Sequence, residues 1–173
     1  MGILQWFYGR VTLKTVQIVP QRDKNAGELY PMYDRLIGFD RNSQQSIFLL
    51  GPRGTGKTTW LNAYLPNALY FDLLDSGIYA DFLANPGRLA DLIPPGFNDW
   101  IVLDEIQKVP QLLNEVHRLI EQKKYKFVLT GSSARSLRRK GVNLLAGRAL
   151  TYSMYPLTVL ELGKDFNLQQ TLR

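Results

Sequence analysis

A glycine-rich run at residues 51–59, GPRGTGKTT, carries the clearest chemistry in this sequence. It fills every fixed position of the phosphate-binding pattern G-x-x-x-x-G-K-[ST]. Glycines let successive backbone N–H groups turn inward, and the N-terminus of a following helix adds a positive dipole to the same anion site. The run therefore predicts a nucleotide triphosphate as ligand. The predicted binding residues are Gly51, Pro52, Arg53, Gly54, Thr55, Gly56, Lys57, Thr58 and Thr59.

Two side chains of this run have separate predicted roles. Lys57 is long enough to reach the β and γ phosphates, where its charge also serves catalysis. The Thr58 hydroxyl is the expected protein ligand of a Mg²⁺ ion, which takes most of its other ligands from phosphate oxygens and water. The run therefore predicts Mg²⁺ as a companion of the nucleotide.

A second candidate is the pair of acids that ends the apolar run at 100–103. At the carboxyl end of a parallel strand beside the loop, Asp104 would hold Mg²⁺ through its water shell. Glu105 is placed to polarise an attacking water, which favours hydrolysis over nucleotide storage. The alternative is an exposed acidic helix start after a core strand.

A third candidate follows the apolar run at 125–129. Ligands of open parallel sheets lie at the carboxyl ends of the strands, so a hydroxyl here can sense the γ phosphate or orient water. Thr130 is the first choice for this role. Ser132 and Ser133 compete with it, although Ser133 can instead cap a following helix.

Alternating strand and helix patterns must position these residues. Short apolar runs predict strands at 46–50, 68–73, 100–103, 125–129 and 149–154, and helical spacing predicts helices at 58–65, 77–84 and 111–122. This alternation favours an α/β fold with a parallel sheet. The first 42 residues form a predicted N-terminal extension, a helix/strand arm. It has a possible strand or partner-binding arm at 11–19 and an amphipathic helix around 29–37.

Longer shared runs identify a family. The segments GPR-x-x-GKT, LDEIQKVP-x-LL, LTGSSA and NLLAGR resemble prokaryotic AAA-type ATPases of the AAA+ superfamily, over about 46–173. The resemblance implies a P-loop NTPase fold, three-layer α/β/α with a central parallel sheet in the order 5-1-4-3-2. It also implies ATP binding with Mg²⁺ and hydrolysis. Family members usually continue into a C-terminal domain, so residues 43–173 are expected to be an ATPase core truncated before that domain.

Arg148 is a further candidate, because a guanidinium can stabilise transition-state charge as an arginine finger, in cis or from a neighbouring subunit. In AAA-type ATPases the finger comes from about this place, so the resemblance makes Arg148 a candidate in trans and self-association a possible partner mode. The alternative is a surface arginine paired with an acid. Arg135 and Arg138 are weaker candidates.

Composition excludes several classes of protein. The chain has no cysteine and one histidine, which excludes disulfides, cysteine-based zinc sites and His-rich metal sites. No apolar run approaches the length of a membrane span, and the start lacks the features of a secretory signal. These observations predict a cytoplasmic protein with no membrane partner.

Charge is unevenly distributed along the chain. The net charge is +6, and the segment 122–160 holds eight basic residues and no acidic residue. It can be a nucleic-acid patch, or, as we favour, a solvated face with residues that serve ATP.

The leading function is an ATPase that drives conformational change in an attached or partner domain. The alternatives are a nucleotide-gated binding module, which can involve nucleic acid, and a small-molecule kinase.

Overall fold

The computed structural model describes residues 17–18, 33–132 and 145–167. These residues contain six strands and five α-helices. The strands are β1 Gln17–Ile18, β2 Ser46–Leu50, β3 Leu69–Asp72, β4 Trp100–Asp104, β5 Lys126–Gly131 and β6 Ala149–Ser153. The helices are α1 Lys57–Tyr64, α2 Ser76–Ala84, α3 Arg88–Leu92, α4 Leu112–Lys123 and α5 Val159–Leu162.

The described strands form one sheet in the order β1-β3-β4-β5-β2-β6. The five strands from β2 to β6 are mutually parallel, and β1 pairs antiparallel with β3. Counted from β2 as the first strand, the parallel strands follow the order 5-1-4-3-2, which confirms the predicted fold. Of the predicted strand or arm at 11–19, the described residues form only β1 at the sheet edge.

Both faces of the sheet are covered from β2 to β5, which explains the continuous apolar runs of these strands, whereas the edge strand β6 is largely exposed. Side chains alternate along β2, so Ile47 and Leu49 join one core while Phe48 and Leu50 join the other. The first core packs against Leu61 and its neighbours on α1. The second core is closed by α2, α3 and α4. These two cores around one sheet confirm the three-layer α/β/α architecture.

The chain just before β2 differs from its prediction. An amphipathic helix was expected over 29–37, but its described part, 33–37, is irregular, as is the chain that follows to residue 40. Tertiary partners take the backbone groups that a helix would use: the Leu36 N–H donates to a carboxylate on α5, and the Phe39 N–H donates to the Tyr64 hydroxyl. The Tyr64 hydroxyl in turn donates to the Phe39 carbonyl. Ile37 and Phe39 therefore pack against the core without helical structure, while Leu36 is exposed.

Two further predictions concern a helix after β5 and the absence of a membrane span. The helix predicted after Ser133, with Arg135 and Arg138, lies outside the described residues. Within 33–132 and 145–167, the longest helix is α4 with twelve residues, and none is long and apolar enough to cross a membrane.

Candidate nucleotide site

The glycine-rich run forms a loop between β2 and α1, at the carboxyl end of the sheet. Gly54 and Gly56 have φ values of 78° and 81°, in the left-handed region that side chains other than glycine rarely adopt. Gly51 is required for another reason, because a Cβ there would lie 2.0 Å from the Met154 carbonyl oxygen. The glycines therefore allow both the curvature of the loop and its close contact with the chain after β6.

Lys57, the first residue of α1, is buried inside the loop. Its Nζ donates to the Gly51 carbonyl at 2.7 Å and to the Pro52 carbonyl at 2.9 Å. The Thr55 hydroxyl also donates to the Pro52 carbonyl, at 2.9 Å. An ammonium has three donors, so one beyond these two can be directed at a phosphate. The loop thus holds its lysine in place by its own backbone.

Asp104, at the end of β4, is bound by hydroxyls from three different elements. Thr58 of α1 donates to Oδ2 at 2.6 Å, and Tyr70 of β3 donates to the same oxygen. Thr130 of β5 donates to Oδ1. The residue is 5% exposed, so these hydrogen bonds fix the carboxylate beside the start of α1. The structure thus brings Thr58, Asp104 and Thr130 together.

Tyr70 was not among the residues singled out from the sequence. Burial, followed by the negative charge of Asp104, raises the pKa of the Tyr70 phenol, which keeps the hydroxyl protonated as a donor. The available signal was one residue with a polar tip inside the apolar run 69–71. That signal is weak, because tyrosine is common in strands whatever its hydroxyl contacts.

Glu105 directly follows β4 and has unusual backbone geometry. Its φ of 61° lies in the left-handed region, which is costly for a residue with a side chain and is concentrated at functional sites. The Glu105 N–H donates to the Thr130 hydroxyl at 2.9 Å, and its carboxylate accepts from the Gln107 amide. Gln107 is thus a second site residue that the sequence analysis missed.

Thr130 connects the two acids rather than facing open space. The residue is fully buried, and its hydroxyl donates to Asp104 while it accepts from the Glu105 N–H. This geometry orients the acid pair directly. A role in sensing the γ phosphate stays a prediction. The competing residue Ser132 lies just after β5, and Ser133 lies outside the described residues.

The chemistry of the donor set fits magnesium. Mg²⁺ usually keeps several waters and is held by one or two carboxylates together with substrate phosphates. Thr58 and Asp104 present one hydroxyl and one carboxylate oxygen within 2.6 Å of each other next to the loop. No group of three or more acidic, histidine or cysteine side chains forms a metal cage among the residues described. An ion here would therefore take its other ligands from phosphate and water.

Arg148 lies away from this cluster. It directly precedes β6, which runs parallel to β2 with Ala149 opposite Ser46. The loop leaves the other end of β2, about 16 Å away at 3.3 Å per residue. The Arg148 guanidinium pairs with Glu121 near the end of α4. This position excludes a cis contact with the loop of the same chain, while a role in trans stays a prediction.

A cavity of about 670 Å³ opens beside the loop. Its walls come from the segment before β2, from α1 and from the chain after β6. Trp60 and Tyr64 stack with ring centroids 4.5 Å apart, and the Arg41 guanidinium lies 4.4 Å from the Tyr64 ring centroid. Ile37, Pro156 and Leu157 add apolar surface. An apolar pocket with a few polar groups, next to a phosphate loop, suits the base and sugar of a nucleotide.

Comparisons with known proteins identify the family of this chain. A family model described as an AAA domain matches residues 43–163. Among solved structures, that of the Aeropyrum pernix ORC1 protein in complex with DNA is similar at 20% identity and a TM-score of 0.42, covering 68% of this chain and 41% of that chain. This chain therefore spans about two fifths of that structure's length. A search of curated protein sequences finds no significant match. The chain belongs to the AAA domain family and is a nucleotide-binding, P-loop ATPase-type core.

Proposed function

We propose that the chain binds ATP with Mg²⁺, hydrolyses it, and couples hydrolysis to conformational change in an attached or partner domain. The observation that carries this proposal is the position of Asp104, which is held by three hydroxyls beside the phosphate loop and is followed by Glu105. A loop that only stored nucleotide would not need a second buried carboxylate next to the metal position.

The described side chains divide the chemistry among them. Lys57 and the loop amides bind the phosphates and stabilise negative charge that develops in the transition state. Thr58 and Asp104 would hold Mg²⁺, which supplies charge neutralisation at the phosphate oxygens. Glu105 orients a water and accepts its proton. Thr130 positions both acids, because its hydroxyl bonds to the Asp104 carboxylate and to the Glu105 N–H. As the attacking oxygen bonds to the γ phosphorus, its proton moves to the Glu105 carboxylate. The bond from that phosphorus to the β–γ bridging oxygen breaks, and ADP leaves with that electron pair.

The base and ribose occupy the cavity beside the loop. Stacked Trp60 and Tyr64 form an aromatic wall, and such rings favour flat, polarisable ligands. Competition of GTP against a fluorescent ATP analogue measures the preference for adenine. Trp60→Phe, which keeps an aromatic ring, is the matched variant for Trp60→Ala in this measurement.

The experiment that tests hydrolysis compares the full chain with Glu105→Gln. Mg²⁺-dependent phosphate release is measured over a range of protein concentrations, and ATP binding is measured in parallel. We expect turnover by the unaltered chain and a loss of about 100-fold or more in Glu105→Gln, the size typical of a general base, with binding retained. Glu115→Gln, which alters only an ion pair with Arg118 within α4, is the matched control and should turn over normally.

One outcome favours the alternative function. If the unaltered chain binds ATP tightly but releases no phosphate at any protein concentration, the enzyme proposal fails. The chain is then a nucleotide-gated binding module whose partner responds to the bound state.

A lysine-lined cleft makes nucleic acid a candidate ligand for this second function. A cleft of about 240 Å³ at the amino ends of the strands is lined by Lys123, Lys124 and Lys126 together with Phe97 and Tyr125. Lysines next to aromatic rings can bind the phosphates and bases of a nucleic acid strand. Asp99, in the same cleft, opposes this charge.

A salt series tests the nucleic-acid form of the proposal. DNA and RNA oligonucleotide binding is measured at increasing salt for the unaltered chain and for a variant with all three lysines changed to glutamine. Genuine phosphate contacts weaken steeply with salt and are lost in the variant. Binding that is weak, independent of salt, or equal in the variant removes nucleic acid as a ligand of this cleft.

A further inference from the structure

Arg35 connects three separate parts of the chain next to the phosphate loop. Its Nη1 donates to the Thr55 carbonyl of the loop at 2.7 Å, and its Nη2 donates to the Tyr155 carbonyl after β6 at 2.5 Å. Its Nε forms an ion pair with Glu161 of α5 at 2.9 Å. The two charged side chains are only 9% and 4% exposed. No step of the proposed hydrolysis uses either of them.

Glu161 is held as firmly as its partner. Its Oε1 also accepts the Leu36 N–H at 2.9 Å, and its Oε2 accepts the Thr158 N–H at 2.8 Å. Thr158 and Glu161 form a reciprocal capping box at the start of α5. Burial would raise the pKa of Glu161, but the hydrogen bonds from Thr158, Leu36 and Arg35 lower it to about 2. The carboxylate is therefore charged at neutral pH and bonded through both oxygens.

The contact with Thr55 acts on the part of the loop that would bind phosphate. Thr55 lies between Gly54 and Gly56, the two glycines with positive φ. In a planar trans peptide, the carbonyl and the next N–H point in opposite directions. When Arg35 holds the Thr55 carbonyl on the outside, the Gly56 N–H must face away from Arg35. The loop is then held from inside by Lys57 and from outside by Arg35.

We propose that the ion pair of Arg35 and Glu161, here called the clasp, holds the phosphate loop in its anion-binding shape and links that shape to the chain after β6. Arg35 is thus a positioning residue for the nucleotide phosphates. Because the clasp also bonds the Tyr155 carbonyl, it joins two walls of the cavity beside the loop. The effect on nucleotide affinity rests on the proposed function, whereas the effect on loop order does not.

A substitution of Glu161 distinguishes a role in positioning the loop from a simple effect of charge on nucleotide affinity. Removing a carboxylate near the loop makes the local potential more positive, which by itself would tighten the binding of a triphosphate. Loss of the clasp would have the opposite effect, because a loop that must be ordered at binding has a lower affinity. The sign of the change in affinity therefore distinguishes the two explanations.

The test uses the full chain and four variants. Glu161→Gln removes the ion pair, and Arg35→Lys keeps the charge but cannot reach all three acceptors at once. Arg88→Lys and Asp81→Asn are matched controls, because that pair joins α2 and α3 at 3.0 Å without contacting the loop. Hydrogen exchange of the loop amides at 51–57 is measured without added nucleotide, and ADP affinity is measured without Mg²⁺. Circular dichroism establishes that each variant is folded.

We expect about tenfold faster loop exchange and about tenfold weaker ADP binding in Glu161→Gln, as for the loss of one charge-assisted hydrogen bond. Arg35→Lys should show smaller changes in the same directions, and it replaces Glu161→Gln if that variant does not fold. Unchanged loop exchange, or tighter ADP binding in Glu161→Gln, overturns the clasp. If the unaltered chain binds no nucleotide, the proposed function fails, and the exchange measurement alone decides the clasp.

Discussion

Charged residues at the two ends of the parallel sheet differ in their burial and in their partners. At the carboxyl ends, Lys57, Asp104 and Glu105 are buried and bonded to defined partners on other elements. At the amino ends, Arg148 pairs with Glu121 while the two side chains are 39% and 48% exposed. Lys126 lies over the ring of Trp100, 5.0 Å from its centroid.

This difference indicates where the chain keeps charged groups whose burial is energetically unfavourable. A buried charge is unfavourable unless hydrogen bonds satisfy it, whereas an exposed ion pair contributes little. Among the described residues, the buried charged groups lie at the loop, at the two acids and in the ion pair of Arg35 and Glu161 beside the loop. Burial of polar side chains therefore separates the candidate site from ordinary charged surface more sharply than charge does. The variants below test this contrast.

The largest effect is expected for Lys57→Met. The variant loses the charge inside the loop and both hydrogen bonds to the loop carbonyls, and charged hydrogen bonds contribute about 1.5–3 kcal/mol each. ATP affinity should fall by about 100-fold or more in equilibrium binding. The matched variant Lys126→Met, at the opposite end of the sheet, should bind as the unaltered chain does. Equal losses in both would contradict the contrast between the two ends.

Asp104→Asn should give the next largest effect. The amide has nearly the same shape but no charge for Mg²⁺ or its bound water. Mg²⁺ affinity in the presence of ATP should fall by about 10- to 100-fold, while binding of ATP without Mg²⁺ changes little. A Mg²⁺ titration of turnover and of binding measures both quantities. An unaltered Mg²⁺ midpoint would remove Asp104 from the metal site.

Tyr70→Phe removes one hydroxyl from the carboxylate of Asp104 and leaves the ring in the core. The free energy of unfolding should fall by about 1.5 kcal/mol, since a buried carboxylate loses one donor. The Mg²⁺ midpoint should rise several-fold in the same variant. Tyr79→Phe on α2 is the control for loss of a hydroxyl, and denaturant unfolding measures both variants. A stable Tyr70→Phe with an unchanged Mg²⁺ midpoint would show that the hydroxyl is dispensable.

Acid should lower the stability of the folded chain by protonating Glu161, which lies near the phosphate loop. Its pKa is lowered to about 2 in the folded chain, from an ordinary value of 4.5, so the folded state binds this proton less readily than the unfolded state. The stabilisation is present above pH 4.5 and is lost as the pH falls toward 2, while Arg35 stays charged. Glu161→Gln should therefore lose less stability than the unaltered chain over this range. Parallel acid titrations followed by circular dichroism measure the difference.

The smallest effect on stability is expected for Arg148→Ala. Its exposed pair with Glu121 should contribute no measurable stability, so the unfolding midpoint should not move. If Arg148 acts in trans on a second copy, turnover falls and its dependence on protein concentration is lost, with ATP binding unchanged. Glu121→Ala is the matched control, because it breaks the same ion pair but keeps the arginine. Equal turnover in both variants and in the unaltered chain would exclude the finger role.

Local sequence patterns predicted the sheet and the loop well. The strand at 46–50 is apolar at every inner position, which only a strand covered on both faces requires, and the structure has it at the same residues. The region before β2 was harder to predict. Its apolar spacing matches a helix, but its backbone groups bond to Tyr64 and to α5, far along the chain. Short-range spacing contains no information about such partners.

The candidate site divides in the same way. Lys57, Thr58, Asp104 and Glu105 belong to motifs whose spacing reflects phosphate and metal chemistry, so the sequence identifies them. Tyr70 and Arg35 act through contacts between elements far apart in sequence, and Gln107 acts through a contact with Glu105; none of the three matches such a spacing. Arg148 could be named from its neighbours, but its distance from the loop depends on the strand register.

By itself, the sequence determined the α/β class, the phosphate loop and the acid pair, because these depend on residue types at short, fixed spacings. The tertiary structure decided which hydroxyls hold Asp104, which end of the sheet Arg148 occupies, and which arginine supports the loop from outside. These outcomes depend on strand order and side-chain direction across up to 126 residues of chain. Only the folded chain brings such residues within hydrogen-bond distance, so their roles follow from packing.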